Sequence, residues 1–276
     1  MTSQTAIGKI PVLMYHSISH TPNPRFKEFA VSPELFDQQM SYLFQRHYTP
    51  LTVTQLATAI REQTIRAGDK PIVLTFDDGY ADFYAAAWPI LKKYQFTATL
   101  YVTTGFVNGT SQWLESQGEA NRPMLNWDQL GELAWTGIEC GAHSHTHRQL
   151  DMLSKTLARF EVGESKRMLE DRLARPVSSF AYPYGYYTQT LERLVRHAGY
   201  SSACAVKYAM GSTTDDLFAL PRLIVTGRTT LNDFAELLNG VRLPSAMKYY
   251  QVRSQVWRFV RRAITPLKHL SAGEYI

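Results

Sequence analysis

Two adjacent aspartates follow a segment that is typical of a buried strand, and they limit how the chain can fold around them. Residues 72–76 read Ile-Val-Leu-Thr-Phe, and Asp77, Asp78 and Gly79 come next. Consecutive strand residues point to opposite faces of a sheet. Both carboxylates can therefore reach one site only where the strand ends and the chain turns, and Gly79 permits such a turn.

A histidine cluster later in the chain supplies the partners that a metal site needs. His143 and His147 are four residues apart, so one helical turn or a tight loop would direct both rings to one point. One carboxylate and two imidazoles leave open positions on a divalent metal, as a catalytic zinc requires. Solvated aspartates at a turn and a histidine-rich loop are the alternative. Both elements together favour a metal-dependent hydrolase site, with the second carboxylate free to act as a base.

These residues resemble the motifs of the polysaccharide deacetylase family, which is the NodB-homology domain or carbohydrate esterase family four. Residues 75–79 repeat its first motif, Thr-Phe-Asp-Asp-Gly, and His143, Ser144 and His147 match its second, His-Ser/Thr-x-x-His. Residues 183–185 match the Pro-Tyr-Gly end of a third motif, Arg-x-Pro-Tyr-Gly. The resemblance runs from about residue 10 to about residue 240. It implies a distorted (β/α)7 barrel that hydrolyses the amide bond of an N-acetylated sugar.

The resemblance also implies a role for each residue of the two motifs. Asp78, His143 and His147 would hold one divalent metal, for which zinc suits the ligand types best. Asp77 would be the general base that takes a proton from the attacking water. His145 lies between the two histidine ligands and has no role in the family. We expect it to be a loop residue or to support the ligands from outside.

Aromatic residues and a backbone amide are the candidates for substrate contacts. In the family, the amide N–H of the third motif's tyrosine helps to hold the oxyanion, and this position is Tyr184 here. An ordinary turn is the alternative for residues 183–185. Sugars stack on aromatic rings, although such rings are also common in cores. We expect Tyr80 and Trp127 to lie near the substrate.

The chain departs from the family pattern at two positions. Many members have an arginine that opens the third motif and pairs with the base aspartate, whereas Ala181 stands there. The later Leu-x-His motif that supplies a general acid has no clear match. We predict that Arg222, at the start of a late strand, replaces the arginine and pairs with Asp77. His16 ends the first strand, and it is either an acid or substrate ligand or a structural histidine.

Strand and helix patterns alternate along the chain. Residues 33–45 have a helical period of apolar positions, with Ser32 as a helix start before Pro33. Repeated alternation of this kind predicts a parallel sheet and, with this many units, closure into a barrel. Residues 104–121 lack a period and are predicted to form a loop over the barrel mouth. We therefore expect an α/β fold, a distorted (β/α)7-type barrel in one domain at residues 1–244.

The net charge of +5 comes from the C-terminal tail, residues 245–276. That segment has six basic residues and one acidic residue, so the rest of the chain is balanced. A balanced body gives no support for nucleic-acid binding. The tail is predicted to be a basic amphipathic helix. It would either lie on an anionic membrane surface or pack across the barrel as a terminal helix.

No apolar run reaches the roughly 18 residues of a membrane span, and the first ten residues lack the features of a signal peptide. We expect a cytoplasmic protein, which would lie at the inner membrane face if the tail binds the membrane, and we expect Cys140 and Cys204 to be reduced core residues. A cytoplasmic location would favour an oligosaccharide or a lipid-linked precursor as substrate. Three functions stay open: an N-deacetylase, a hydrolase of cyclic amides or O-acetyl esters, and a catalytically weak carbohydrate-binding homologue.

Overall fold

The computed structural model describes residues 9–66 and 68–241. The strands of these ranges are β1 (Val12–Tyr15), β2 (Ser17–Ile18), β3 (Ala30–Val31), β4 (Thr49–Leu51), β5 (Pro71–Phe76), β6 (Thr99–Val102), β7 (Glu139–Ala142), β8 (Ser179–Ala181), β9 (Ser202–Cys204) and β10 (Leu223–Ile224). The α-helices are α1 (Pro33–Gln45), α2 (Val53–Arg61), α3 (Trp88–Lys93), α4 (Trp127–Trp135), α5 (Lys155–Leu173), α6 (Gln189–His197) and α7 (Leu231–Leu238).

The main sheet is parallel and curls into a nearly closed barrel. Its strand order is β10-β1-β5-β6-β7-β8-β9, and β4 pairs with the first half of β5. A single parallel bridge between Cys204 and Leu220 joins β9 to the segment that leads into β10. The helices surround this curled sheet, so the predicted fold class, a distorted (β/α)7-type barrel in one domain, is confirmed.

The two faces of the sheet form two different cores. Leu74 and Phe76 of β5 belong to the larger core between the sheet and its helices, whereas Val73 belongs to a smaller core inside the barrel. Tyr101 fills much of this interior, because a Cβ at Gly141 would lie 2.6 Å from its ring. Strand side chains that point inward, such as Thr75 and Asp77, are thereby directed to the barrel interior and its carboxyl end.

The helix start predicted at Ser32 is present, and α5 begins with a similar cap. Ser32 accepts a hydrogen bond from the Leu35 amide at the start of α1, and Ser154 caps α5 in the same way. The helical segment after β5 begins as a π-helix, Phe83–Ala87, and continues as α3. Pro89 has no N–H to donate to the carbonyl four residues earlier, so the regular α pattern is interrupted there. Short 3-10 helices, Thr104–Phe106 and Gln112–Gln117, lie within the predicted mouth loop.

The predicted tail helix and the domain boundary at residue 244 lie outside the described residues, and they stay predictions. In residues 9–66 and 68–241, no helix has both the length and the apolar character that crossing a membrane would take. Cys140 and Cys204 are free thiols and both are buried, as expected. Burial raises the pKa of the Cys140 thiol to about 12, so this group stays protonated and unreactive.

Candidate metal centre and catalytic site

The chain turns sharply at the carboxyl end of β5. The Asp77 amide donates to the carbonyl of Tyr15 on β1 over 3.0 Å, which continues the sheet by one residue. Asp78 and Gly79 then both have positive φ values, 78° and 87°. A positive φ is uncommon for a residue other than glycine and is often found at functional sites. Because of this turn, both carboxylates line the same cavity.

The histidine cluster forms a tight loop after β7 and not a helical turn. The His143 amide still donates to the Val102 carbonyl of β6, over 2.9 Å. Ser144 and His147 then have φ values of 62° and 56°, and the Ser144 hydroxyl accepts the His147 N–H at 3.0 Å. The loop therefore reverses within a few residues and brings both imidazoles to one side.

Asp78, His143 and His147 have the geometry of a three-residue metal site. The Oδ1 atom of Asp78 is 3.1 Å from Nε2 of His147 and 3.6 Å from Nε2 of His143. In the described residues, this is the one group of three or more metal-ligating side chains, with ligand atoms within 4.8 Å of one another. The same Oδ1 atom is buried without a hydrogen bond of good geometry. Buried polar atoms normally have a partner, and a bound cation would supply one here.

The protonation states of these groups also suit a metal. Nδ1 of His143 is 2.8 Å from the carbonyl of Ala181, so this nitrogen carries the proton and Nε2 has a free lone pair. Burial lowers the pKa of His143 to about 4, which keeps the imidazole neutral. Burial on its own would raise the pKa of Asp78, but the charge of the nearby His147 outweighs it and lowers the pKa. An ionised carboxylate and a neutral imidazole are the forms that bind metals.

Arg222 makes the contact with Asp77 that was predicted for it. Its Nη1 and Nη2 atoms donate to Oδ1 and Oδ2 of Asp77 over 2.6 Å and 2.8 Å, a bidentate pair. Its Nη1 also donates to the Thr75 hydroxyl at 3.1 Å, and its Nε donates to the Ala205 carbonyl at 3.2 Å. Arg222 is fully buried, so the pair is rigid and shielded from water. Burial opposes ionisation of Asp77, yet Arg222 lowers its pKa on balance.

A cavity of about 330 Å3 opens above these residues. His16, at the end of β1, lines it with Asp77, Asp78 and the two histidine ligands. The His16 ring packs edge-on against Phe29, with 5.1 Å between ring centroids, and its Nδ1 atom is buried without a hydrogen-bond partner. The structure thus brings His16 to the site. Its position fits either a proton donor or a substrate ligand.

Aromatic rings form the walls of the cavity around His147. Trp113 stacks on the His147 ring at 5.1 Å and on Tyr80 at 6.3 Å, measured between ring centroids. Tyr184 also contacts the His147 ring, in an edge arrangement at 4.8 Å, and 46% of Tyr184 is exposed. Its φ of 60° places a sharp bend in the loop after β8. Tyr80 and Tyr184, both predicted near the substrate, line the cavity.

The expectation for Trp127 differs from its position in the structure. Trp127 does not line the cavity; it starts α4, where Arg172 lies 5.6 Å from its ring centroid. The helical period places it on the same side as Leu130 and Ala134, toward the outer core. Trp113, from the mouth loop, lines the cavity and stacks on the ring of His147.

His145 lies away from the ligand cluster, in agreement with its predicted lack of a ligand role. Its Nδ1 atom is 3.0 Å from the Thr104 hydroxyl, and its ring meets the edge of Phe160. Two residues beside the site were not singled out from the sequence, Trp113 and Glu161. Trp113 lies in residues 104–121, whose sequence has no helical or strand period that would predict where its side chain points. Glu161 could have been identified from the sequence, because it is a charged residue among the apolar positions on the buried side of α5.

Comparison with known proteins agrees with this site. The family model for polysaccharide deacetylases matches residues 64–203, just over half of the chain. YxkH of Bacillus subtilis (strain 168), which carries the family name, is 28% identical over 235 residues, covering 85% of this chain and 78% of that protein. A poly-beta-1,6-N-acetyl-D-glucosamine N-deacetylase of Staphylococcus aureus (strain MRSA252) is 22% identical over 210 residues, covering 72% and 69%.

Solved structures with the same architecture include two deacetylases. The Streptococcus pyogenes deacetylase PplD, solved in complex with acetate, has a TM-score of 0.72 and 29% identity, covering 84% of this chain and 98% of that one. BC0361, a polysaccharide deacetylase from Bacillus cereus, has a TM-score of 0.71 and 27% identity, covering 84% and 69%. The region matched by the family model contains the metal cluster but neither His16 nor Arg222.

Proposed function

Because this chain belongs to the polysaccharide deacetylase family, we propose that it removes the acetyl group from an N-acetylated sugar of a polysaccharide, oligosaccharide or lipid-linked precursor. The observation that carries the proposal is the ionised Asp77, held by Arg222 beside a cluster of three metal ligands. The names of the Staphylococcus aureus relatives support an N-acetylated amino sugar as the substrate class.

Asp78, His143 and His147 would hold the metal, with zinc as the first candidate. Such an ion supplies Lewis acidity, which polarises an acetyl carbonyl and makes a water more acidic. The chain's own groups move the protons. Asp77 accepts the proton of the attacking water at a carboxylate oxygen, while Arg222 keeps that carboxylate ionised and oriented.

The remaining steps need a donor for the oxyanion and a proton for the leaving amine. The amide N–H of Tyr184 is the candidate donor, because Tyr184 borders the cavity on the His147 side. His16 lines the same cavity and carries an unpartnered ring nitrogen, so it is the candidate acid. Protonation of the sugar nitrogen by His16 would accompany cleavage of the carbon–nitrogen bond, and the products are acetate and a free amino sugar.

The other functions left open by the sequence are less well supported. A cyclic amide or an O-acetyl ester could use the same carboxylate and ligands, but the names of the relatives point to N-acetyl groups. A binding protein without activity would have no need for an unligated, ionised carboxylate beside the metal ligands. The buried Asp77–Arg222 pair therefore favours an enzyme over a carbohydrate-binding homologue.

The test is a substrate screen with zinc-loaded protein, measuring acetate and free amine released from oligomers of N-acetylglucosamine and from lipid-linked N-acetyl sugars. We expect equal amounts of acetate and amine, and release of both products slowed by about 10² or more in the Asp77→Asn variant. O-acetylated sugars and cyclic amides are tested in the same screen, because they are the substrates of the two alternative hydrolases. Release of acetate without amine, or ring opening alone, would replace the N-deacetylase proposal by one of the other two hydrolases.

A further inference from the structure

The loop that carries His147 is held from outside by one carboxylate of α5. Oε2 of Glu161 accepts the backbone N–H of His145 at 2.9 Å and that of Thr146 at 2.7 Å. The Thr146 hydroxyl donates to the other carboxylate oxygen, Oε1. Glu161 is 2% exposed, so these contacts are shielded from water. All three of these donor groups belong to the loop that carries His147.

The loop geometry explains why an anion is needed there. Ser144 before the two amides and His147 after them have left-handed backbone, so consecutive N–H groups converge on one point. Converging N–H groups form a concave site for an anion. Hydrogen bonds to a carboxylate are roughly twice as strong as those between neutral groups. Glu161 therefore offsets the backbone strain of this loop more effectively than a neutral side chain would.

The two histidine ligands depend on this loop to different degrees. His143 continues β7 and has its ring fixed by the Ala181 carbonyl at 2.8 Å. Nδ1 of His147 is buried without a hydrogen-bond partner, so no acceptor on that side fixes the ring, and its Nε2 faces Asp78. The position of His147 is set by its backbone and by ring packing against Trp113 and Tyr184. A change in loop shape would therefore move His147 first.

We propose that Glu161 is a positioning residue of the metal site, which sets the loop geometry that presents His147 to the other two ligands. Glu161 does not touch the ligand atoms and takes no part in proton transfer. The inference rests on the metal site of the proposed function, and it concerns metal affinity before any turnover. Outer groups that orient metal ligands commonly contribute a factor of about 10 to 100 in metal affinity.

The experiment measures Zn2+ affinity by competition with a chelator in wild-type protein, Glu161→Gln and Glu164→Gln. Glutamine keeps the shape of Glu161, but it loses the charge and turns an NH2 group toward one of the donors. We expect Zn2+ binding to weaken by about 10- to 100-fold in Glu161→Gln. The absorption spectrum of Co2+-loaded protein should change as well, because His147 shifts. Glu164 lies on the same helix and pairs with Arg167 at the surface, so its variant should bind Zn2+ as wild type does.

Wild-type Zn2+ affinity in a folded Glu161→Gln protein overturns the positioning role and leaves the metal site intact. Failure of wild-type protein to bind Zn2+ overturns both this inference and the metal site. If Glu161→Gln does not fold, Thr146→Val decides, since it removes only the hydroxyl contact with Glu161. We expect a weaker loss of Zn2+ affinity there, restored in Thr146→Ser. An unchanged affinity in Thr146→Val would then overturn the proposal.

Discussion

Two carboxylates sit at opposite ends of the barrel interior, and they have opposite kinds of partner. At the carboxyl end, Asp77 is held by the guanidinium of Arg222 and faces the cavity. At the amino end, Glu139 accepts hydrogen bonds from the hydroxyls of Thr99 and Ser179, each over 2.8 Å. It also accepts the Thr54 amide at 3.1 Å, at the start of α2.

This difference indicates what each end does. Neutral donors on β6, β8 and α2 surround Glu139, so that carboxylate joins these three elements at the amino end of the barrel. A single cation orients Asp77 and leaves its carboxylate 3.8 Å from Nε2 of His143, at the cavity where a base can act on a substrate. The identity of the partner, more than burial itself, separates a structural carboxylate from a reactive one.

The largest expected effect is loss of the metal at the carboxyl end. Asp78→Ala, His143→Ala and His147→Ala should each lose the bound divalent ion and with it all measurable deacetylation, because each removes one of three protein ligands. His145→Ala should keep close to one ion per chain, measured by elemental analysis of purified protein. Retention of the ion in His143→Ala together with its loss in His145→Ala would contradict the ligand assignment.

The next effect compares the two carboxylates directly by the same chemical change. Asp77→Asn should keep the metal but lower turnover by about 10² or more, as expected for loss of a general base. Glu139→Gln is the matched control and should retain turnover at a temperature where it is folded. Steady-state rates and metal content of both variants are the measurements. Near-normal turnover in Asp77→Asn would show that Asp77 is not the base and is no more reactive than Glu139.

Arg222→Met tests whether the cation is what makes Asp77 reactive. Without Arg222 the pKa of Asp77 should rise, so the acidic limb of the pH–rate profile moves to higher pH. The free energy of unfolding at pH 7 should fall by about 3–5 kcal/mol, because a buried charge loses its partner. Since Arg222 lowers the pKa of folded Asp77, the pair stabilises above the ordinary pKa of an aspartate. That stabilisation is lost as the pH falls through the lowered pKa.

Urea unfolding of wild-type and Arg222→Met protein between pH 7 and pH 3 measures that loss. The difference in stability should shrink toward the acidic end. Arg222→Lys is the control that keeps the charge but loses the bidentate geometry, and its pH–rate profile should shift less. An unchanged acidic limb in Arg222→Met would mean that another group sets the pKa of the base.

The smallest effect is expected at the amino end. Glu139→Gln should lower the free energy of unfolding by about 1–3 kcal/mol, since its donors would be left partly unsatisfied in the barrel. Urea unfolding at pH 7 checks this, together with the pH–rate profile, which should match that of wild type. A shifted profile would show that the two ends communicate through the interior side chains between them, such as Tyr101 and Cys204.

Local signals in the sequence were enough for the elements and the ligand set. Cap residues such as Ser32 and the strand that ends at Asp77 act over a few residues, and parallel strands bring their carboxyl ends together. Such local signals could not predict which aromatic rings point into the cavity. Trp113 and Trp127 are both aromatic residues near the mouth in sequence, and only the packing of the loop and of α4 separates them. The contacts of Glu161 likewise depend on how α5 docks against the histidine loop.

Asp77 and Arg222 are separated by 145 positions, whereas the three ligands all lie within residues 78–147. Contacts between distant positions carry a larger loop-closure entropy, so the last strand is easier to release than the ligand cluster. Rising denaturant should therefore abolish hydrolysis before it releases the metal. A partly unfolded or newly synthesised chain would then hold a divalent ion without hydrolysing substrate, and activity would report that the whole barrel has closed.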